Sequence, residues 1–135
     1  NDNGRHMFDL SRGKWLEDTS ERRKDIVRRM KTWRAFSDSN PVDGISEAIR
    51  TYWAPDKRVS IYLLGDEFTG ESIQAALDDI ASVNKPDNSG RRRVRIHAIG
   101  FPAGALDPPF TNIRFSALMR AMCEQNNGTF VGLTG

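Results

Sequence analysis

Val59-Ser60-Ile61-Tyr62-Leu63-Leu64-Gly65-Asp66 is the most apolar run of the chain. Its length and its β-branched residues describe a strand rather than a helix. No charge interrupts it from Val59 to Leu64. A strand of that kind is expected to be buried on both faces, hence central and parallel to its neighbours. It stops at Gly65-Asp66-Glu67.

The flanking segments alternate in type. Downstream, Ile73, Ala76, Leu77 and Ile80 recur at helical spacing, and residues 84–90 form a polar loop. Val94-Arg95-Ile96-His97-Ala98-Ile99-Gly100-Phe101 is a second strand, followed by a Pro/Gly-rich loop over residues 102–109. Thr111 is suited to cap a further helix with Ile113, Ala117, Leu118, Ala121 and Met122 inward. Asn127-Gly128 supplies a left-handed stop, and Phe130-Val131-Gly132-Leu133 a last short strand. Asn127-Gly128-Thr129 also spells an N-glycosylation pattern, but it overlaps the helix stop and is read as coincidence.

Upstream, Ser37-Asp38-Ser39-Asn40-Pro41 is turn chemistry. Asn40 caps and Pro41 opens a helix whose stripe is Ile45, Ala48, Ile49 and Tyr52, stopped by Ala54-Pro55-Asp56. Before it, Asp18 is expected to cap a helix in a capping box with Glu21. Ile26, Val27, Met30 and Trp33 would face inward there. Residues 6–10 alternate, with Phe8 and Leu10 on one side, as in an edge strand. Alternating strands and helices give an α/β class: a Rossmann-like, mostly parallel sheet with helices on both faces.

Composition narrows the function classes. The chain has 135 residues, enough for one domain. Twenty Lys+Arg against 18 Asp+Glu leave a net charge of +2, too small to argue for nucleic acid by itself. A hydrophobic share of 38% belongs to a globular domain. No run approaches the ~18–20 apolar residues of a membrane span, and no charged-then-apolar leader opens the chain. The single cysteine, Cys123, excludes an internal disulfide and a multi-cysteine zinc site.

From Val59 to Leu133 the chain resembles the later part of a von Willebrand factor type A domain. The resemblance rests on the apolar strand ending in Asp66, the following loop with Thr69-Gly70 and its helix, the strand closing on Gly100, and the last helix running into Asn127-Gly128-Thr129-Phe130-Val131. Asn40-Pro41-Val42, ahead of its helix, is similar to the family's second metal loop. The resemblance implies a non-enzymatic domain that binds a protein partner at the C-terminal ends of the strands. It also implies a Mg²⁺ site there, for which Asp66, Asn40 and Asp43 are the matching oxygen ligands and Glu67, Thr69 and Phe101 the partner-contacting residues. A small hard cation takes about six oxygens and accepts an acidic group from the partner.

Two departures bear on the metal. No Asp-x-Ser-x-Ser occurs, and Asp2-Asn3-Gly4-Arg5-His6-Met7 has Gly and His where the serines belong. The second loop lacks its Thr, with Asn40 or Asp43 in that place. The bland alternatives are a helix-ordering carboxylate for Asp66, a cap for Asn40 and a favourable first-turn charge for Asp43. In the resembling fold another strand lies beside Val59–Leu64, so the domain, spanning residues 1–135, is expected to lack its N-terminal portion. That neighbour would come from upstream residues or from another chain, since long apolar edges template aggregation.

Other chemistry has less support. Ile61 to Glu67 is superficially a Walker B stretch, but no phosphate-binding Gly-x-x-x-x-Gly-Lys-Ser/Thr loop accompanies it. Gly100 and Gly104 make no dinucleotide fingerprint. His97 is expected to be a packed strand residue and Cys123 a small buried filler. Two basic runs remain, Arg22 to Lys31 and Arg91 to Arg95. Their ordinary fate is a solvated face. The alternative function is a phosphate- or nucleic-acid-binding domain using residues 91–95, and a further one is a metal-free assembly scaffold.

Overall fold

A computed structural model of the chain describes residues 4–33, 40–102 and 109–133. The elements are α1 (Ser20–Thr32), α2 (Pro41–Tyr52), β1 (Val59–Gly65), α3 (Ile73–Val83), β2 (Val94–Gly100), α4 (Pro109–Gln125) and β3 (Phe130–Gly132). The three strands form an all-parallel sheet in the order β1-β2-β3. The chain is thus an α/β protein with an open, Rossmann-like parallel sheet. The turn at residues 37–39, the loop at residues 103–108 and Asp2 lie outside the described residues.

α2, α3 and α4 form one layer. α2 packs on β1 and on α3, α3 on α4, and α4 on β2 and β3. Val59, Ile61 and Leu63 of β1 point into this layer with Val94, Ile96 and Ala98 of β2. They meet Val42, Ile45 and Ile49 from α2, Ala76, Leu77 and Ile80 from α3, and Phe115, Leu118, Met119, Met122 and Cys123 from α4. Ser60, Tyr62, Leu64 and Arg95, on the opposite face, are exposed. Among the described residues α2, α3 and α4 cover one face of the sheet. Right-handed crossovers that advance in a single direction place their helices on the same side.

β1 occupies a different slot from the expected one. It is the outer strand and β2 is the central one. Tyr62 is 66% and Leu64 57% exposed. An uncharged strand advertises apolar area, but its place in the order depends on which segments pair with it. Among the described residues no strand lies along the outer edge of β1.

Local details also differ at the ends of the chain. Residues 6–10 make no strand, and Asp9–Ser11 is instead a short 3₁₀ turn. Thr19 caps α1 by accepting from the Arg22 N–H at 3.1 Å, whereas Asp18 accepts both ends of the Arg23 guanidinium fork. No residue of α1 is buried, so its expected inward stripe faces solvent at Val27 and Met30. α4 begins at Pro109, two residues before Thr111, and Thr111 is buried in its first turn. Its inward stripe runs through Phe115, Leu118, Met119, Met122 and Cys123, leaving Ile113 and Ala117 exposed.

α4 stops in a Schellman motif. The Gly128 N–H donates to the Cys123 carbonyl at 2.8 Å and the Asn127 N–H to the Glu124 carbonyl at 3.4 Å. Asn127, not the glycine, takes the left-handed conformation, with φ 57°. Gly128 serves a second need: a Cβ there would collide with the Ile96 carbonyl, so only glycine brings the exit of α4 this close to β2.

Candidate docking rim at the strand tips

Gly65 and Gly100 stand side by side in register at the C-terminal ends of β1 and β2. A Cβ on either would press within 3.1 Å of an aromatic ring, Phe115 at Gly65 and Phe130 at Gly100. The paired glycines let α4 lie close beneath the rim. Asn112, in the first turns of α4, then ties the two strand exits together. Its Nδ2 donates to the carbonyls of Asp66 and Phe101, each at 3.0 Å. The Phe101 N–H donates in turn to the Gly65 carbonyl at 2.8 Å.

The loop after β1 is anchored from below. Phe68 is buried at 2% exposure, and its N–H donates to the Thr111 carbonyl at 3.4 Å. Arg114 lies over the Phe68 ring at 5.2 Å and donates to the carbonyls of Gly70 and Glu71. Asp66 and Thr69 are exposed on this anchored loop, and Glu67 is half-buried. Phe101 presents 41% of its surface beside them. Beside the outer edge of β1 lies an open hollow of about 360 Å³, lined by Asn40, Pro41, Gly44, Leu64, Asp66 and Glu67, among others.

The residues expected to hold Mg²⁺ do not converge. Asn40 and Asp66 share the hollow, but Asn40 Oδ1 accepts from the Val42 N–H at 3.1 Å as the cap of α2. Asp43 is exposed on α2 and lines a different hollow, with Glu47, Arg50 and Asp79. Among the described residues no three His, Cys, Asp or Glu side chains are grouped to hold a metal. Among the described residues these three side chains therefore do not form one donor set for Mg²⁺.

Comparison with protein-family models, curated proteins and solved structures finds no match in any of the three. The functional reading therefore rests on the site itself. No helix among the described residues is long and apolar enough to cross a membrane.

Groups that often carry catalysis are used here for packing. His97 stacks on Tyr62 with ring centroids 4.9 Å apart, and its Nδ1 accepts from the Thr129 N–H at 3.1 Å. His6 accepts or donates to the Tyr52 hydroxyl at 3.1 Å, and its other nitrogen faces Glu47 at 3.4 Å. Cys123 is 1% exposed, and burial pushes its thiol up to about 11. A thiol in that state is a poor nucleophile at neutral pH.

Asp66, Glu67, Thr69 and Phe101 follow the C-terminal ends of β1 and β2, where the sequence reading put the partner-contacting residues. That reading misses Asn112, Phe68 and Arg114, which hold those ends together. A polar amide and an arginine at the start of an apolar helix were the available signal. Apart from the Phe101 carbonyl, 11 positions from Asn112, their partners are backbone carbonyls 43 to 46 positions away, which no local pattern reveals.

Proposed function

We propose that the chain is a non-enzymatic docking module of the von Willebrand factor type A kind. It receives a protein partner at the C-terminal ends of the strands. The partner's extended segment runs beside β1, and its tip contacts Asp66, Glu67, Thr69 and Phe101. The single observation that carries this reading is the uncharged outer edge of β1, which ends in an anchored, acid-bearing rim. An edge strand offers a row of unused N–H and C=O groups, and addition of a strand to such an edge is a common recognition mode. A carboxylate and an exposed aromatic at the strand tip add specificity. On this reading docking uses the strand edge and the rim residues and needs no Mg²⁺.

Selection from a displayed library of random peptides, using the intact chain as bait, tests the proposal. Enriched peptides are expected to weaken at least about tenfold on Leu64→Lys and on Asp66→Ala. They should bind Glu124→Ala, on the far side of α4, as they bind the parent chain. Affinity should be equal in Mg²⁺ and in chelator. Peptides indifferent to both rim variants would refute the docking site, and binding abolished by chelator would restore a metal to it.

A further inference from the structure

We infer that the opposite end of the sheet is a separate binding site for a compact polyphosphate group. A hollow of about 420 Å³ opens at the N-terminal ends of β1 and β2, between the segment around Trp53 and the loop that precedes β2. Lys57, Arg58, Arg91, Arg92, Arg93 and Arg95 line it, with only Asp56 and Asp87 opposing them. β1 spans seven residues, so at about 3.3 Å per residue this hollow lies about 20 Å from the Asp66 rim.

The cations differ in what occupies them. Arg92 is structural. It donates from Nε to the Gln125 carbonyl and from Nη1 to the Asn84 carbonyl, both at 3.0 Å, and so pins the loop to the framework. Arg93 lies 4.4 Å over the Trp53 ring. Lys57 is 3.8 Å from Asp56 and Arg91 is 3.5 Å from Asp87. Arg58 and Arg95 are exposed, and their guanidinium groups have no hydrogen bond or ion pair among the described residues. Arg95 pairs in register with Ser60, which also lines the hollow and adds a hydroxyl.

This arrangement selects a class of ligand. Guanidinium forks match phosphate oxygens two at a time. Like charges held together by a strand and a pinned loop repel one another, and a multivalent anion relieves that repulsion. The volume falls within the range of small-ligand sites. A nucleic-acid strand would need a longer basic track and aromatic platforms for its bases. Here the cations converge on one hollow, and Arg93 already covers a face of Trp53. Two or three linked phosphates, as in a nucleoside di- or triphosphate, fit the chemistry best.

Calorimetric titration of the chain with inorganic tripolyphosphate at low ionic strength tests this. Saturable one-to-one binding is expected, weakening steeply with added salt. The double variant Arg58→Gln/Arg95→Gln should lose at least about tenfold in affinity. Both side chains are exposed, so the fold should be unaffected. The matching pair Arg28→Gln/Arg29→Gln in α1 should change affinity less than about twofold. Equal losses in the two doubles would mean diffuse attraction to surface charge and overturn the site. So would the absence of saturable binding, or tighter binding of a single-stranded oligonucleotide than of tripolyphosphate through the same arginines. None of these outcomes touches the docking rim, which uses other residues.

Discussion

Asn84 is fully buried between the end of α3 and the start of β2. Its Nδ2 donates to the Val94 carbonyl at 2.8 Å and to Asn126 Oδ1 at 2.7 Å, and its Oδ1 accepts from the Val94 N–H at 2.9 Å. Asn126 completes the set by donating to the Met122 carbonyl at 2.7 Å. One amide thus closes the polar groups that the exits of two helices leave behind. Removing it strands several of them out of water, each at a cost of about 1–3 kcal/mol. Asn84→Ala is expected to lose about 3 kcal/mol in urea unfolding. A loss below about 1 kcal/mol would show that water or rearrangement satisfies the site. A polar Asn ahead of a loop looks in the sequence like ordinary turn chemistry. Its role depends on Asn126, 42 positions away.

Asp87 gives the residue scale a pH signature. The Ser89 hydroxyl first, then the Arg91 N–H, hold its carboxyl down from 3.8 to about 2. A depressed acid contributes order that is present above its ordinary value and lost as pH falls through the depressed one. The 85–93 loop should therefore keep its turn at pH 4 and above and release it near pH 2. A side-chain carbon titration by NMR should give Asp87 a midpoint near 2, and Asp87→Asn should remove the acid-side change. A midpoint at or above the ordinary 3.8 would contradict these contacts.

At the scale of elements, α3 and α1 contrast. Both show a helical apolar stripe in the sequence. α3 buries Ala76, Leu77 and Ile80, whereas α1 buries nothing. The difference lies in what flanks the stripe. α3 connects two paired strands and is drawn onto the sheet by them. Among the described residues no strand flanks α1, and six Lys and Arg of its thirteen residues favour solvent. Periodicity shows which side of a helix is apolar but not whether a surface exists to receive it. Ile80→Ala should thus cost about 2–5 kcal/mol. The double change Val27→Glu/Met30→Glu should stay within about 0.5 kcal/mol of the parent. Thermal or urea unfolding of both checks this, and comparable losses would place α1 in the core.

The same reasoning explains the stripe of α4. Ile113 and Ala117 are apolar, but the line through Phe115, Leu118, Met119 and Met122 carries more volume, and its Phe115 meets the paired glycines of the strand tips. That glycine pairing is a property of strand register, which the helix sequence does not contain. The cap at Asn40-Pro41 was spelled locally and matches the structure, whereas the Asp18 reading missed the α1 cap by one residue because Asp18 is taken up by Arg23.

For the whole molecule, strand type and parallel order were legible because apolar runs alternate with helical stripes. The slot of β1 was not. Val59 to Leu64 is uncharged on both faces, and that pattern is shared by a central strand and by an outer strand awaiting a partner. Tyr62 and Leu64 on the exposed face, an outer edge without a neighbouring strand among the described residues and the anchored rim at Asp66 are the features on which the proposed docking at β1 rests.

Amide hydrogen exchange of the dilute 135-residue chain, resolved by residue, tests this most directly. In a parallel sheet an outer strand directs alternate N–H groups away from its one neighbour. Every second amide from Val59 to Gly65 is therefore expected to exchange nearly as fast as in an unfolded peptide, while Val94 to Gly100 exchange orders of magnitude more slowly. Protection of β1 as uniform and as deep as that of β2 would place another strand along its outer edge and remove the open docking side.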